Sequence, residues 1–240
     1  MSMSLTSFAS SLVAELKPID FQDYAAMVYN PLEYAWGNHA QYLEKYGNGK
    51  KRVLFLGMNS GPWGMAQTGV PFGEIPAVRD WMKLDGEIRK PEVEHPKRPI
   101  EGFSCERSEV SGRRLWGYFA DRFPEAEDFF KDHFVVNFCP LVWMSETGAN
   151  ITPDKLPKSV MKPVEDACMD HLQQVVELME PEWLVGVGAF AEKRLKDVSK
   201  RVENLNVKVG KVLHPSPASP AANRGWAEAA EKQLIEQGIF

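Results

Sequence analysis

Residues 53–74 read VLFLGMNSGPWGMAQTGVPFGE, an apolar run followed by a long glycine-rich segment. The run Val53–Leu56 is short and rich in strand-forming residues, so it predicts a buried strand. The glycines that follow let the backbone approach a ligand closely and leave N–H groups free to face it. This segment is either a plain connection or part of a ligand site. Asn59, Phe72 and Glu74 favour the site, because they add an amide, a flat apolar ring and a charge to one loop.

At 240 residues, with 44% hydrophobic and 25% charged residues, the chain has the composition of a globular protein with a sizeable core. We expect one domain over residues 1–240, with a helical part at residues 1–50. No apolar run approaches the roughly eighteen residues needed to span a bilayer, and the N-terminus lacks the basic start of a secretory signal. The sequence therefore predicts an intracellular protein with no membrane partner, in the cytoplasm or nucleoid of a bacterium or in the nucleus of a eukaryote.

The three cysteines, Cys105, Cys139 and Cys168, lie far apart and form no C-x-x-C motif. This spacing argues against a disulfide framework, a structural zinc site and an iron–sulfur cluster. We therefore expect neither a metal nor a cofactor.

The formal net charge of −5 argues against a polyanionic partner, since proteins that bind nucleic acids are more often basic. Short basic runs at residues 50–52, 97–98 and 113–114 are either local positive patches or ordinary solvated faces. The net charge weakens the prediction of a nucleic-acid partner without excluding it.

Hydrophobic spacing predicts four strands, at residues 53–56, 134–139, 183–188 and 207–213. It predicts helices at residues 5–16, 34–46, 75–84, 108–122, 160–179, 189–200 and 220–237, with Ser108 as the N-cap of the fourth. Strands that alternate with helices form a parallel sheet covered on both faces. Asn59, Asn137 and His214 would then converge at one edge, where Asn137 is either a satisfied core amide or a reader of a ligand.

Two familiar motifs are only weakly matched. The segment GVGAFA at residues 186–191 resembles a dinucleotide-binding turn, but Glu203 stands closer than the acidic residue of that motif should. Ser216 has no G-x-S-x-G context and no identified base. His214 stands apart from the other histidines, because it follows a strand and enters the rigid, proline-rich segment HPSPASPAANRGW at residues 214–226.

Two segments, GMNSGPWGMAQTGVPFGE at residues 57–74 and HPSPASPAANRGW at residues 214–226, closely resemble the signature motifs of the single-strand-selective monofunctional uracil-DNA glycosylases. The resemblance covers residues 53–238 and includes SEVSGRRLWG at 108–117 and NFCPL at 137–141. It implies an α/β/α sandwich around a four-stranded parallel sheet. It also implies excision of uracil, and of modified uracils such as 5-hydroxymethyluracil, from single- or double-stranded DNA, leaving an abasic site.

The resemblance also assigns roles to single residues. Phe72 would stack on a base that has left the helix, as a buried glycosidic bond requires. Asn137 would accept from N3–H of uracil and donate to O4, a pattern that cytosine reverses. His214 would donate a hydrogen bond to O2 as negative charge develops there, assisted by the backbone N–H of Met58. Asn59 would position water, since a carboxamide is not a general base near neutral pH.

Further roles come from the same resemblance. Gly61 would leave room around C5 of the base, and four residues would contact DNA phosphates or grooves, namely Ser216, Ser219, Asn223 and Arg224. The chain departs from the family at Ser60, where proline is usual, and at Ala218, where the animal members carry an arginine in the duplex-entering wedge. These departures bear on substrate range and on duplex invasion.

We expect a monomer that forms no Schiff base with its substrate, because no amine nucleophile is identified. Two other functions stay open at this point. One is a nucleotide-binding α/β enzyme, which would bind a free cofactor tightly without releasing a base. The other is a non-catalytic module that recognises damaged DNA, for which loss of Asn59 or His214 would affect affinity alone.

Overall fold

The structure is a computed structural model that describes residues 3–203 and 205–240. Its strands, in chain order, are β1 (Met27–Tyr29), β2 (Val53–Asn59), β3 (His133–Cys139), β4 (Val142–Met144), β5 (Asn150–Ile151), β6 (Trp183–Val187) and β7 (Lys208–Val212). Four of them form a parallel sheet in the order β3-β2-β6-β7. The other three form a small antiparallel sheet in the order β1-β4-β5.

The helices are α1 (Leu5–Leu16), α2 (Pro31–Tyr34), α3 (Trp36–Tyr46), α4 (Met65–Thr68), α5 (Val110–Arg122), α6 (Ala126–Asp132), α7 (Lys158–Met179), α8 (Ala189–Val198), α9 (Pro220–Asn223) and α10 (Trp226–Glu236). A π-helical turn at Ala77–Trp81 and 3-10 turns at Gly102–Ser104 and Pro153–Lys155 complete the regular structure. No helix in the described part of the chain is long and apolar enough to cross a membrane.

The central strand β2 is buried on both of its faces. Val53, Leu54, Phe55 and Leu56 are each at most 1% exposed, although alternate side chains point to opposite sides of a sheet. Phe55 packs against the ring of Phe119 from α5 on one side. Helices α7 and α8 pack on the sheet and on each other, while α5 packs against α10. The predicted α/β/α sandwich around a four-stranded parallel sheet is confirmed.

The predicted strands are all present, with ends shifted by a few residues. The largest shift is in β2, which continues through Gly57 to Asn59. Asn59, the residue predicted to position water, is therefore the last residue of this strand, where pairing with Cys139 fixes its backbone. It does not stand inside the loop.

Some helix predictions were wrong in detail. The helix predicted at residues 34–46 is two helices joined at Ala35, and the last helix is broken at Gly225, whose φ of +131° only glycine adopts without strain. The cap of α5 is Glu109, whose carboxylate accepts from the backbone N–H of Ser111. Ser108 instead donates to Glu74, so it does not cap the helix.

The sequence patterns missed α6 and the antiparallel sheet. Both are short elements, and β1 has only three residues, so neither shows a readable period. Cys105, Cys139 and Cys168 are buried free thiols.

Candidate active site

Asn59 is oriented by two carbonyl groups at the carboxyl end of β2. Its Nδ2 donates to the carbonyl oxygens of Leu141 (3.3 Å) and Ser60 (3.1 Å). Both contacts use the amide hydrogens, so Oδ1 is left as the acceptor. An acceptor held in this way can receive a hydrogen bond from water and direct the water's lone pair at a substrate atom.

Asn137 lies beside Gly57 in the neighbouring strand, since the two residues are paired in the parallel register. Its Nδ2 donates to Sδ of Met65 (3.3 Å), a weak acceptor, and its buried Oδ1 has no hydrogen-bond partner in the described residues. A Cβ at Gly57 would overlap both this Oδ1 and the ring of Phe72. Because residue 57 is glycine, Oδ1 of Asn137 and the ring of Phe72 can both pack against the backbone of β2.

Phe72 adopts a backbone conformation with φ of +53°, which is costly for a bulky residue. Its surroundings hold it there. The indole of Trp116 donates to the carbonyl of Pro71 (3.0 Å), and a Cβ at Gly112 would overlap the carbonyl oxygen of Phe72 itself. The ring stays half-buried, with one part against Gly57 and the rest accessible to a planar partner.

His214 stands directly beyond β7, facing Phe72 across the sheet edge. The two ring centroids are 6.3 Å apart. Its Nδ1 accepts a hydrogen bond from the backbone N–H of Ser216 (3.1 Å), and burial lowers the pKa of the imidazole below its ordinary value. Gly188 packs against its Cβ and Cδ2, where a side chain would crowd the ring. The neutral ring therefore carries its proton on Nε2, as a donor to substrate requires.

The segment at residues 214–226 is tied down by Arg114 of α5. Its guanidinium donates to the carbonyl oxygens of Pro215 (2.9 Å) and Ser216 (3.3 Å) and to Oδ1 of Asn223 (2.8 Å). The sequence presented Arg114 only as part of a possible basic patch. In the structure, it is the anchor that holds the His214 segment against α5.

The predicted DNA contacts at Ser216, Ser219 and Asn223 have hydrogen bonds within this segment. The Ser216 hydroxyl accepts from the N–H of Ala218, the Ser219 hydroxyl caps α9, and Asn223 Nδ2 donates to the carbonyl of Pro217. These bonds shape the segment. Contact of the same residues with DNA stays a prediction, as it does for the exposed Arg224.

A second set of missed residues comes from the N-terminal helices, which the sequence analysis treated as a cover beside the sheet. The buried Asn38 donates to the carbonyl of Thr68 (2.6 Å), His39 Nδ1 donates to that of Gly69 (2.7 Å), and the hydroxyl of Tyr34 donates to that of Ala66 (2.6 Å). Three side chains thus hold the backbone just before Phe72. No local pattern pointed to them, because they lie about 30 residues away in the chain.

Glu109 fills the space that Gly61 and Gly64 leave. A Cβ at either glycine would crowd its side chain. The pKa of Glu109 is raised, chiefly by burial and further by the charge of Glu74. The hydrogen bond from the N–H of Ser111 opposes this shift without cancelling it. Glycine at position 61 is thus needed for the packing of Glu109, apart from the predicted room for a base.

Ser60 is 1% exposed, and its buried hydroxyl has no hydrogen-bond partner in the described part of the chain. The departure from proline therefore places a polar atom inside the loop, next to the predicted water-positioning residue.

The structure brings together Asn59, Phe72, Asn137 and His214, with Met58 and Gly61 beside them in the same strand and loop. Among residues 3–203 and 205–240, no three His, Cys, Asp or Glu side chains are grouped as metal ligands. Asn59 offers an acceptor for water and Phe72 an aromatic face. Asn137 offers both a donor and an acceptor for the edge of a base, and the neutral imidazole of His214 offers a donor.

Comparisons with known proteins identify the family and support the fold. A family model described as the uracil DNA glycosylase superfamily covers residues 44–235. The chain belongs to the uracil-DNA glycosylase superfamily. It is 47% identical over 228 residues to the single-strand selective monofunctional uracil DNA glycosylase of Bos taurus, covering 94% of this chain and 83% of that protein. The Rattus norvegicus protein of that name is 45% identical over 229 residues, with 95% and 82% covered.

Among solved structures, the crystal structure of wild-type Pedobacter heparinus SMUG2 superposes with a TM-score of 0.59 and 19% sequence identity, over 97% of this chain and 95% of that one. At this identity the likeness supports the fold. The expected resemblance to the single-strand-selective monofunctional glycosylases is confirmed, and so is the expected enzyme class, a uracil-DNA glycosylase that hydrolyses N-glycosyl bonds.

Proposed function

We propose that this chain removes uracil from single-stranded DNA, taking an unstacked nucleotide into the site formed by Asn59, Phe72, Asn137 and His214. One observation carries the proposal. The buried Oδ1 of Asn137 has no hydrogen-bond partner among the described residues, and it lies beside the ring of Phe72, which in turn faces the neutral imidazole of His214. A buried acceptor without a partner is costly, and N3–H of uracil would satisfy it.

Recognition follows from the amide. Oδ1 of Asn137 accepts from N3–H of uracil, and Nδ2 exchanges its weak contact with Met65 Sδ for one with O4. Cytosine presents an acceptor at N3 and a donor at N4, so both bonds would be mismatched. Phe72 adds stacking of about 1–3 kcal/mol per base that does not depend on base identity.

Cleavage of the bond between N1 and C1′ leaves the electron pair on the base and oxocarbenium character on the sugar. His214 donates from Nε2 to O2, where the negative charge develops. Water held by Oδ1 of Asn59 then attacks C1′ and loses a proton to solvent, while the uracil anion takes up a proton from solvent, giving an abasic site and free uracil. Neither polar residue is an amine, so we propose hydrolysis without lyase activity. 5-Hydroxymethyluracil is proposed as a further substrate, with its substituent on the Gly61 side.

The experiment is single-turnover base release from matched single- and double-stranded oligonucleotides carrying uracil, 5-hydroxymethyluracil or cytosine. The parental chain should release uracil, faster from the single strand. Asn59→Ala and His214→Ala should each slow release by about 10²-fold or more while binding of the oligonucleotide persists. Parental rates in both variants would refute the mechanism, and binding without release by the parental chain would favour a non-catalytic module.

A further inference from the structure

Trp63, in the loop between Asn59 and Phe72, is contacted by two arginines from elsewhere in the chain. The guanidinium carbon of Arg98 lies 4.8 Å from the Trp63 ring centroid, and that of Arg107 lies 5.3 Å from it. No residue given a role above belongs to this group. Trp63 lies in the segment that joins the proposed water-positioning residue Asn59, at the end of β2, to the proposed stacking residue Phe72, and it is separate from the His214 segment.

Neither arginine has a carboxylate partner in the described residues, although the chain carries a net charge of −5. Arginines paired with a carboxylate are Arg79, Arg89, Arg122, Arg194 and Arg201. The other described arginines have no carboxylate partner. One of them, Arg52, donates to the carbonyl of Ile239. The rest belong to segments that form or flank the site, namely Arg98, Arg107, Arg113, Arg114 and Arg224. These segments also carry the carboxylates of Glu74, Glu106 and Glu109, so the arginines matter here as individual unpaired donors rather than as a net positive charge.

The backbone of Arg98 is fixed. Its N–H donates to the carbonyl of His95 (2.8 Å), and its own carbonyl accepts from the hydroxyl of Tyr29 (2.8 Å). Its side chain donates from Nη1 to the carbonyl of Lys97, while the buried Nε has no partner in the described part of the chain. A guanidinium set against an indole keeps its N–H donors in its own plane, where they can bind phosphate oxygens in pairs.

Arg107 also lines a surface pocket of about 360 Å³, next to Phe103 and Ser108. The carboxylates of Glu74 and Glu106 line the same pocket and would repel a phosphate inside it. A phosphate is therefore favoured on the Trp63 side of Arg107, away from these two carboxylates.

We propose that Arg98 and Arg107, oriented by Trp63, form a subsite for a phosphate of the DNA strand next to the flipped nucleotide. The inference rests on the proposed function, because it takes the strand that carries the uracil as its ligand. The subsite would contribute to strand binding and leave the chemical step unchanged.

The test is the salt dependence of binding to an undamaged, labelled single-stranded oligonucleotide, measured by fluorescence anisotropy over a potassium chloride series. Arg98→Gln/Arg107→Gln should make the slope of log K against log salt shallower by about 0.7 for one lost phosphate contact on a single strand. Trp63→Leu should shift the slope in the same direction by freeing the guanidiniums. Arg201→Gln, which removes an arginine charge at the opposite end of the strands, is the matched control.

A slope in the double variant equal to that of Arg201→Gln would overturn the subsite. So would a slower single-turnover rate at saturating enzyme with an unchanged slope, since that would give the arginines a structural or catalytic role instead. If the double variant has a lower melting temperature than the parental chain, the same slope measurement is made on the single variant Arg107→Gln. Failure of the parental chain to release uracil would refute the proposed function while leaving the slope comparison intact.

Discussion

The backbone N–H of Ser216 donates to Nδ1 of His214 at 3.1 Å, and this one contact sets which ring nitrogen holds the proton. A neutral imidazole that accepts at Nδ1 must donate at Nε2. The turn that follows β7 thus prepares the histidine as a hydrogen-bond donor before substrate arrives.

His214→Gln should lower the single-turnover rate of uracil release by about 10²-fold to 10³-fold, the usual cost of removing one donor to a developing oxyanion. Burial lowers the pKa of His214 from 6.5, so the parental rate should hold as pH falls through 6.5. It should fall only at lower pH, when a protonated Nδ1 would face the N–H of Ser216. A pH profile of the single-turnover rate checks both statements, and a rate that rises on acidification would contradict them.

Asn137→Asp should weaken the discrimination between uracil and cytosine, because a second acceptor replaces the donor half of the amide. The measurement is the ratio of kcat/KM for the two bases in the same oligonucleotide. Asn223→Asp makes the same chemical change outside the pocket, next to Arg114, and should leave the ratio unchanged. Undiminished rejection of cytosine by Asn137→Asp would remove Asn137 from the pocket assignment.

Gly57→Ala should slow uracil release strongly, because the new Cβ would push aside both Oδ1 of Asn137 and the Phe72 ring. Gly117→Ala is its control. Among the described residues, no atom beyond its own helix lies within 4 Å of a Cβ at Gly117, and alanine should stabilise α5 by about 0.5–1 kcal/mol. Urea unfolding and single-turnover kinetics on both variants separate the effects. Parental activity in Gly57→Ala would show that the amide and the ring do not act together.

Asn38→Ala should destabilise the fold by about 1–3 kcal/mol, since it leaves the buried carbonyl of Thr68 without this donor and removes one of the two side-chain acceptors of the Gly86 N–H, the other being Gln41. It should also slow uracil release although Asn38 lies outside the pocket, because the backbone leading to Phe72 loses a support. Hydrogen exchange at Val70 and Gly73 should become faster. Asn48→Ala, at an exposed site beyond α3, should change none of these quantities.

Acid should destabilise the protein between pH 6.5 and 4. Burial lowers the pKa of His39, His133 and His171 from 6.5 to about 4, so the unfolded chain binds more protons than the folded one in this range. The stability is fully present above pH 6.5 and falls as pH drops, by about 1.4 kcal/mol per pH unit for each proton taken up. His133→Gln removes one such group and should flatten the dependence of Tm on pH. An equal slope in both proteins would contradict the assignment of a neutral, buried His133.

Local sequence determined the strands, most of the helices and the identity of the candidate site residues. The burial of a run such as Val53–Leu56 can be predicted from its own residues, because the preference of an apolar side chain for the interior does not depend on distant parts of the sequence. The glycine-rich loop and the proline-rich segment likewise carry their turn chemistry within a few residues. Matching motifs to a family then supplied roles for Asn59, Phe72, Asn137 and His214.

Tertiary structure decided how these side chains are held. Asn38 contacts the last residue of α4, Thr68, 30 residues away, and Arg114 reaches Asn223 at a separation of 109 residues. The cluster of Trp63, Arg98 and Arg107 likewise joins separate loops. Hydrogen bonds and ring contacts act over a few ångströms in space and leave no period along the chain, so which distant residues meet is set only when the sheet and its helices have packed.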